Sequence, residues 1–441
     1  MRIAFVSPNR EHLPDPVLPL GILYMMSAVG AEHEKTLIDL CFEAEPLAVL
    51  TERLAAFRPE LVAVSMRNVQ NADYTDTGSV LGWYDEVMRT IRASTSAPVV
   101  MGGGGFSVIP DELMTRFELD YGITGEGEQP FAQLVARLAG GSRDTGGIRN
   151  LLGGSGTAMI GGLQRHDFLN LNQNVRPARE WADPRYYAHS GIASIQTKRG
   201  CAMSCEYCTY PLIEGRAIRQ RVGEQVADEW DAMIAASPAI SHVFIVDSVF
   251  NLPPHHAREV CEALIARGNR TPWTCYLNPV KFDQALADVM ALSGCAGVEI
   301  GSDSGTDEGL AKLRKGFTIE KIRETSRVCH RAGIRDCHTF ILGTRGETIA
   351  DVERSLDFIE ALDPYSAIIM AYKDDREAVD PELAAELGAF RARVLEAIEQ
   401  RARPRQRWVV PSLGLRFNQR LFNALRKTGL RGPLWQHAPA A

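Results

Sequence analysis

Three cysteines, Cys201, Cys205 and Cys208, form a C-x3-C-x2-C triplet within residues 196–210 (QTKRGCAMSCEYCTY), directly after a short β-rich run at residues 192–197. No other feature restricts the chain as strongly. Three thiolates this close on one loop can take three corners of a cubic iron–sulfur cluster and leave the fourth iron open to a small molecule. A structural zinc loop would want a fourth ligand, but the next cysteine is Cys261, and the nearest downstream histidines are His242, His255 and His256. Aromatic Tyr207 precedes the third cysteine, and basic Lys198 and Arg199 stand ahead of the first.

A chain of 441 residues has room for two or three domains. Its hydrophobic and charged fractions, 45% and 23%, are those of a soluble globular protein. A net charge of −7 argues against a general nucleic-acid binder. The apolar stretch at residues 17–31 falls short of the ~20 residues of a membrane span. It also lacks a basic flank and a cleavage site, so it reads as a buried helix. Nine cysteines, six of them scattered singly, suit a reducing cytoplasm and not a disulfide framework.

Along residues 1–140, β-type runs at 2–8, 37–40, 61–66, 97–106 and 120–128 alternate with helical stretches opening at Pro19 and spanning 48–57, 80–94 and 130–138. That alternation predicts a parallel, doubly wound sheet, with ligands at the carboxyl ends of its strands. Those ends carry Ser65, Arg67 and Asn68, then Gly103 and Gly104 within a run of four glycines, then Gly125, Glu126, Gly127 and Glu128. Glycines there let backbone N–H groups approach a large ligand, although four in a row also suit a plain tight turn. A dinucleotide fingerprint belongs after the first strand, and SPNREHLPDP lacks it.

Glycine-rich residues 140–162 read as a linker that continues through 169–181. A second βα series follows, with strands at 192–197, 242–251, 272–279, 297–305, 337–348 and 365–372. Function in such a series sits at the carboxyl strand ends. These carry Asp247 and Asn251, Asn278, Glu299, Ser302 and Asp303, and Gly343 with Glu347; the last of these also suits a helix cap. The charged loop at 371–382 is expected to be a solvated turn, unless Lys373 or Arg376 meets an acidic substrate. A long helix at 387–401 opens the tail. The basic, aromatic segment behind it is expected to pack over the barrel opening and close the active site, with RNA binding as the other reading of its arginines.

The triplet, with Tyr207 before its last cysteine, resembles the radical S-adenosylmethionine (SAM) superfamily. The Pro-Leu-Gly helix start at Pro19, the glycine-rich strand end and TGEGEQPF at residues 124–131 resemble the cobalamin-binding domain of its B12-dependent subfamily. The D-x-H-x-x-G motif that gives cobalt an axial histidine is absent, and His12 and His33 lack that context. The resemblance therefore implies cobalamin without this axial histidine. It implies a Rossmann-like doubly wound parallel sheet of the B12-binding type (residues 1–140), a linker (141–188), a partial (βα)6 TIM barrel forming the radical SAM core (189–375) and a helical C-terminal cap (376–441).

By the same resemblance, Cys201, Cys205 and Cys208 hold a [4Fe-4S] cluster. Tyr207, Asp247, Asn278, Glu299, Ser302, Asp303 and Gly343 contact SAM. Ser65, Arg67, Asn68, Gly103, Gly104, Gly125, Glu126, Gly127 and Glu128 contact cobalamin. The implied activity is methylation of an unactivated carbon of a small-molecule or peptide substrate: a 5′-deoxyadenosyl radical removes hydrogen, and the carbon radical takes the methyl group of methylcobalamin. An electron donor such as flavodoxin or ferredoxin is implied, with no nucleic acid and no membrane span. Three other readings remain at this level: a B12-dependent rearrangement or ring contraction, aminocarboxypropyl transfer by a chain without B12, and a non-catalytic cluster or cobalamin module.

Overall fold

The computed structural model describes residues 1–70, 79–153, 169–172 and 176–437. Residues 154–168 and 173–175 of the expected linker lie outside the described residues.

The first sheet comprises β1 (Arg2–Ser7), β2 (Glu34–Asp39), β3 (Leu61–Ser65), β4 (Val99–Gly102), β5 (Tyr121–Ile123) and β6 (Leu151–Gly153), in the order β2-β1-β3-β4-β5-β6. β1 to β5 are parallel, as the βα alternation predicts. The chain reverses direction across the sheet between β1 and β3, which opens a crevice at their carboxyl ends. β6 pairs antiparallel to β5, with Ile123 opposite Leu151, so part of the expected linker is an edge strand. Three residues are too few to carry a period-two pattern.

Both faces of this sheet are covered. Helices 46–57 and 80–94 bury one side, with Leu50, Leu54, Leu81 and Val87 inward. On the other side, Leu23 and Met26 of helix 20–28 and Phe131 of helix 128–139 join a core that continues into the second sheet through Trp230, Trp273 and Val298. One apolar core thus welds the two sheets. Among the described residues no helix is long and apolar enough to cross a membrane.

The second sheet begins at β7 (Ile192–Ile195). A small hairpin of β8 (Lys198–Arg199) and β9 (Arg219–Gln220) stands apart at its edge. Then come β10 (His242–Ile245), β11 (Trp273–Leu277), β12 (Cys295–Asp303), β13 (Arg335–Leu342), β14 (Ser366–Ala371) and β15 (Trp408–Val409). The order is β15-β14-β13-β12-β11-β10-β7, parallel throughout. This is an open barrel, the six expected strands plus a short seventh. Alternate residues go to opposite faces. Val243, Ile245, Trp273, Cys275, Leu277, Val298 and Ile300 pack outward against helices, so Phe244, Tyr276 and Glu299 face the interior.

The C-terminal region is largely helical, as expected, but its course differs. Helix 381–402 packs on helix 349–362 and serves as the crossover between β14 and β15. The remaining segment runs to the amino ends of the strands. There Gly432 N–H donates to the Ser190 carbonyl, and Arg335 and Tyr365 both donate to the Gln436 carbonyl. It closes the barrel floor, not the mouth. Its apolar spacing showed that it packs, but carried no information about which end of the barrel receives it.

Candidate functional site

The cysteine loop springs from the β8–β9 hairpin. Gly200, just before Cys201, has φ +88°, and an added Cβ would lie 2.1 Å from the Ala217 carbonyl oxygen. Only glycine fits that close crossing. Backbone bonds hold the loop: Cys201 N to Gly215 O (3.1 Å), Cys208 N to Cys205 O (3.3 Å) and Glu206 N to Leu313 O (3.1 Å). The three thiols are free and half-buried. Burial pushes the thiols of Cys205 and Cys208 up, that of Cys208 to about 11, with Lys315 opposing. Such thiols ligate only beside strong positive charge, which clustered irons provide. Among the described residues no three His, Cys, Asp or Glu side chains converge on one ion position.

Asp247 anchors the entrance to this loop. Its carboxylate, fully buried, accepts from Thr197 N (2.7 Å), Thr197 Oγ1 (2.5 Å) and Lys198 N (3.2 Å). Thr197 Oγ1 is also 3.0 Å from His256 Nε2, and burial lowers that imidazole to about 4. Asn278 is similarly engaged: its N–H donates to Asn251 Oδ1 (2.9 Å) and its Oδ1 accepts from Val280 N (2.8 Å). Asp303 (φ +62°) ion-pairs with Lys315 and accepts from the Tyr207 hydroxyl, tying the cysteine loop to the end of β12. Gly343, φ +81°, leaves room for Val394, which an added Cβ would approach to 2.8 Å. Glu347 folds back on Thr344 N and Oγ1 (2.7 and 2.9 Å) and does not cap the next helix; Thr348 does that, with Asp351 completing a capping box.

Ser302 lies apart from the others. Its hydroxyl bonds His338 Nδ1 (2.8 Å), whose Nε2 bonds Asp336 (3.1 Å). His338 shares the face of β13 that Phe340 and Leu342 turn toward the helices. The structure therefore places Ser302 on the outer side of the sheet with His338, at the point where β12 and β13 shift register.

Glu299 points inward and accepts from Trp435 Nε1 (2.9 Å); burial pushes its carboxyl up to about 7. Around it, Phe244 and Tyr276 meet edge to face at 5.1 Å. Tyr210 and Tyr276 keep 38% and 37% of their surface accessible. Yet burial pushes the Tyr210 phenol to about 12, and the Tyr276 phenol is also raised by burial. The Tyr276 ring is turned to the barrel interior and still accessible, so the interior is open at this level and forms a chamber beside Tyr210. Arg67 of the first sheet acts electrostatically on both phenols, and Gly104 lies beside Ile213. The carboxyl ends of the two sheets therefore face one another across this chamber.

On the first sheet, Arg67 and Asn68 are exposed, and the Ser65 carbonyl accepts from Tyr84 (2.9 Å). An added Cβ at Gly103 would lie 2.5 Å from the Met66 carbonyl oxygen, and one at Gly105 2.8 Å from Asn68 C. The glycine run thus lets two strand-end loops interlock. Gly125 donates to Ser107 Oγ (2.9 Å), and a Cβ at Gly127 would strike Met25 Sδ at 2.8 Å. Glu126 and Glu128 are engaged in ion pairs. Glu128 pairs with Arg199 (2.7 Å) and Glu126 with Arg219 (2.6 Å) and Arg199 (3.6 Å), locking the first sheet onto the cysteine hairpin. Burial pushes Glu128 up, but Arg199 outweighs it, so the carboxyl ends below its ordinary value.

The loop after β14 is not a solvated turn. Gln70 donates to the carbonyls of Asp374 (2.7 Å) and Asp375 (3.0 Å), and Ala378 and Val379 pack on the first-sheet core. Arg376 pairs with Asp374. Lys315, Arg219, Tyr210 and Trp435 were not picked out by sequence reasoning. Each is a lone residue in an ordinary context, and only folding sets its partner opposite it.

An open parallel barrel with a three-cysteine loop behind its first strand, following a 2-1-3-4-5 sheet, defines a metallo-cofactor enzyme with two opposed sites. The Radical SAM superfamily matches residues 195–359, and the B12 binding domain matches residues 8–135. The chain belongs to the radical SAM enzymes that carry a B12-binding domain. It is similar to tryptophan 2-C-methyltransferase of Streptomyces laurentii, 28% identical over 82% of this chain and 70% of that one. It is also similar to hopanoid C-3 methylase of Methylococcus capsulatus, 28% identical over 72% of this chain and 59% of that one. The fold matches the radical SAM methyltransferase TsrM of Kitasatospora setae, solved with cobalamin and a [4Fe-4S] cluster. That match has TM-score 0.82 and 24% identity, and covers 99% of this chain and 97% of that one.

Proposed function

We propose that this chain is a cobalamin-dependent radical SAM methyltransferase that methylates a carbon of a small aromatic substrate held between the two sheets. The observation that carries this reading is that the strand ends of the first sheet, at Arg67 and Gly104, meet the barrel beside the accessible rings of Tyr210 and Tyr276. Cys201, Cys205 and Cys208 would hold a [4Fe-4S] cluster. SAM would lie between that loop and the ends of β11 to β13, and cobalamin along residues 65–68 and 102–105. When bound, these groups supply one-electron cleavage of SAM and carriage of a methyl group; the hard chemistry is theirs.

The chain's own residues do the rest. Asp247 and the Asp303–Lys315–Tyr207 triad fix the cysteine loop on both sides. The Glu128–Arg199 and Glu126–Arg219 pairs set the separation of the two sheets. Aromatic walls stack a flat substrate and exclude water. Glu299, whose carboxyl stands near neutrality, is placed to accept or return a proton inside the chamber.

The similarity to tryptophan 2-C-methyltransferase makes tryptophan the first substrate to try. The anaerobically reconstituted protein is supplied with methyl-labelled SAM, tryptophan and a flavodoxin or ferredoxin as electron donor, and the products are read by mass spectrometry. Label in a C-methylated product, lost in Cys201→Ala, supports the reading. Methylthioadenosine without any methylated product from an aromatic panel would overturn it in favour of aminocarboxypropyl transfer.

A further inference from the structure

The barrel floor is formed by a segment from the far end of the chain. Leu434–His437 lies under the strands, and the Trp435 indole, 8% exposed, rises into the interior. Gly297 on β12 makes room for it: an added Cβ would stand 2.6 Å from both Trp435 Cη2 and Gln436 Nε2. Tyr365 packs edge-on against the indole at 6.4 Å, and the Gln436 carbonyl is gripped by Arg335 (3.2 Å) and Tyr365 (2.7 Å). The segment is also moored to the first sheet's side, because Arg426 donates to Asp15 (2.9 Å) in the loop after β1.

We propose that Trp435 is a positioning residue for the chamber. Through its indole N–H it holds one carboxyl oxygen of Glu299 and orients the group, while its ring sets the depth available to a substrate. This rests on the chamber being the substrate site. The groups facing Glu299 are few. Tyr276 lies on β11 to one side and Cys337 on β13 to the other, and both are raised by burial and by Glu299 itself, so they stay neutral. From below comes the Trp435 N–H, the one hydrogen bond recorded to Glu299 among the described residues. A neutral donor facing a carboxylate favours the ionised form, and here it works against desolvation. Orientation follows from geometry: one oxygen is tethered to the floor, so the other is turned up into the chamber.

The test is pH-difference infrared spectroscopy of the full reconstituted chain, which reads the carboxyl stretch of Glu299 without needing turnover. Subtracting the spectrum of Glu299→Gln isolates that band. In Trp435→Phe, which keeps most of the bulk but loses the N–H, the titration midpoint should rise by about one pH unit. Gly297→Ala, which expels the indole without touching either hydrogen-bonding group, should move the midpoint the same way and covers the case in which Trp435→Phe fails to fold. A midpoint unmoved in Trp435→Phe, or in Gly297→Ala where that is the variant that folds, would overturn the proposal, as would a band that survives in Glu299→Gln. A shifted midpoint with no methylation of any aromatic substrate would leave the positioning of Glu299 standing and remove only the reading of the chamber's function.

Discussion

The two sheets turn their carboxyl ends to one another, yet they build those ends differently. On the barrel, the strand ends are side chains whose bonding capacity is used up: Asp247 accepts three bonds, Asp303 is shared by Lys315 and Tyr207, and Asn278 is locked to Asn251 and Val280. On the first sheet, the ends are backbone. Glycines at 103 and 105 let the loops interlock, and Arg67 and Asn68 remain exposed above them. A buried polar network rigidifies because every unmet bond is costly. A glycine-packed backbone is just as fixed but leaves its side chains free to meet a ligand. The barrel face therefore reads as a mount, and the first-sheet face as a contact surface.

Replacing a cysteine attacks the mount most directly. Cys201→Ala should drop the reconstituted iron content from about four per chain to well under one, measured by iron and sulfide assay. The fold should remain, since none of the three thiols belongs to the apolar core.

The next largest effect should come from the joint between the two faces. Arg199→Ala leaves Glu128 buried and unpaired, which costs about 3–5 kcal/mol of stability, readable in a denaturation curve. The pH sense is set by the lowered carboxyl of Glu128. A carboxyl depressed in the fold stabilises fully above its unfolded value and loses that contribution as pH falls through the folded one. With Arg199 gone, burial raises Glu128 in the variant, so the stability gap should be widest above that raised value and narrow steadily as pH falls through it and then through the lowered wild-type value.

How much of this was legible beforehand differs between the two faces. The cysteine triplet, the parallel strands of both sheets and the polar strand ends are periodic or closely spaced patterns, so local sequence carries them. β6 and β15, three and two residues long, are too short to show a pattern. Glu126 and Glu128 stood out as strand-end residues, but their partners Arg199 and Arg219 lie more than seventy residues on, and only the fold pairs them. The side on which Ser302 falls depends on a register shift between β12 and β13, which local sequence does not announce. Trp435 could not be foreseen, since nothing local to a C-terminal tryptophan says which end of a barrel it enters.

Within the mount, Asp247→Ala should cost about 2–4 kcal/mol, because it strands the Thr197 and Lys198 N–H groups in a buried position. Iron content should fall only partly, since the loop keeps its own backbone bonds. If stability is unchanged, the barrel end is not the rigid mount described above.

The smallest effect tests the other face. Asn68→Ala removes an exposed side chain, so stability should move by less than about 0.5 kcal/mol, and iron content should not change. If the first-sheet face is a contact surface, the same variant should retain less cobalamin after gel filtration, read from the visible spectrum. The two readouts separate the faces: Asp247→Ala moves stability and iron, and Asn68→Ala moves cobalamin alone. A loss of stability on Asn68→Ala would mean that this side chain also holds the loops together, and the division of labour between the two sheets would have to be redrawn.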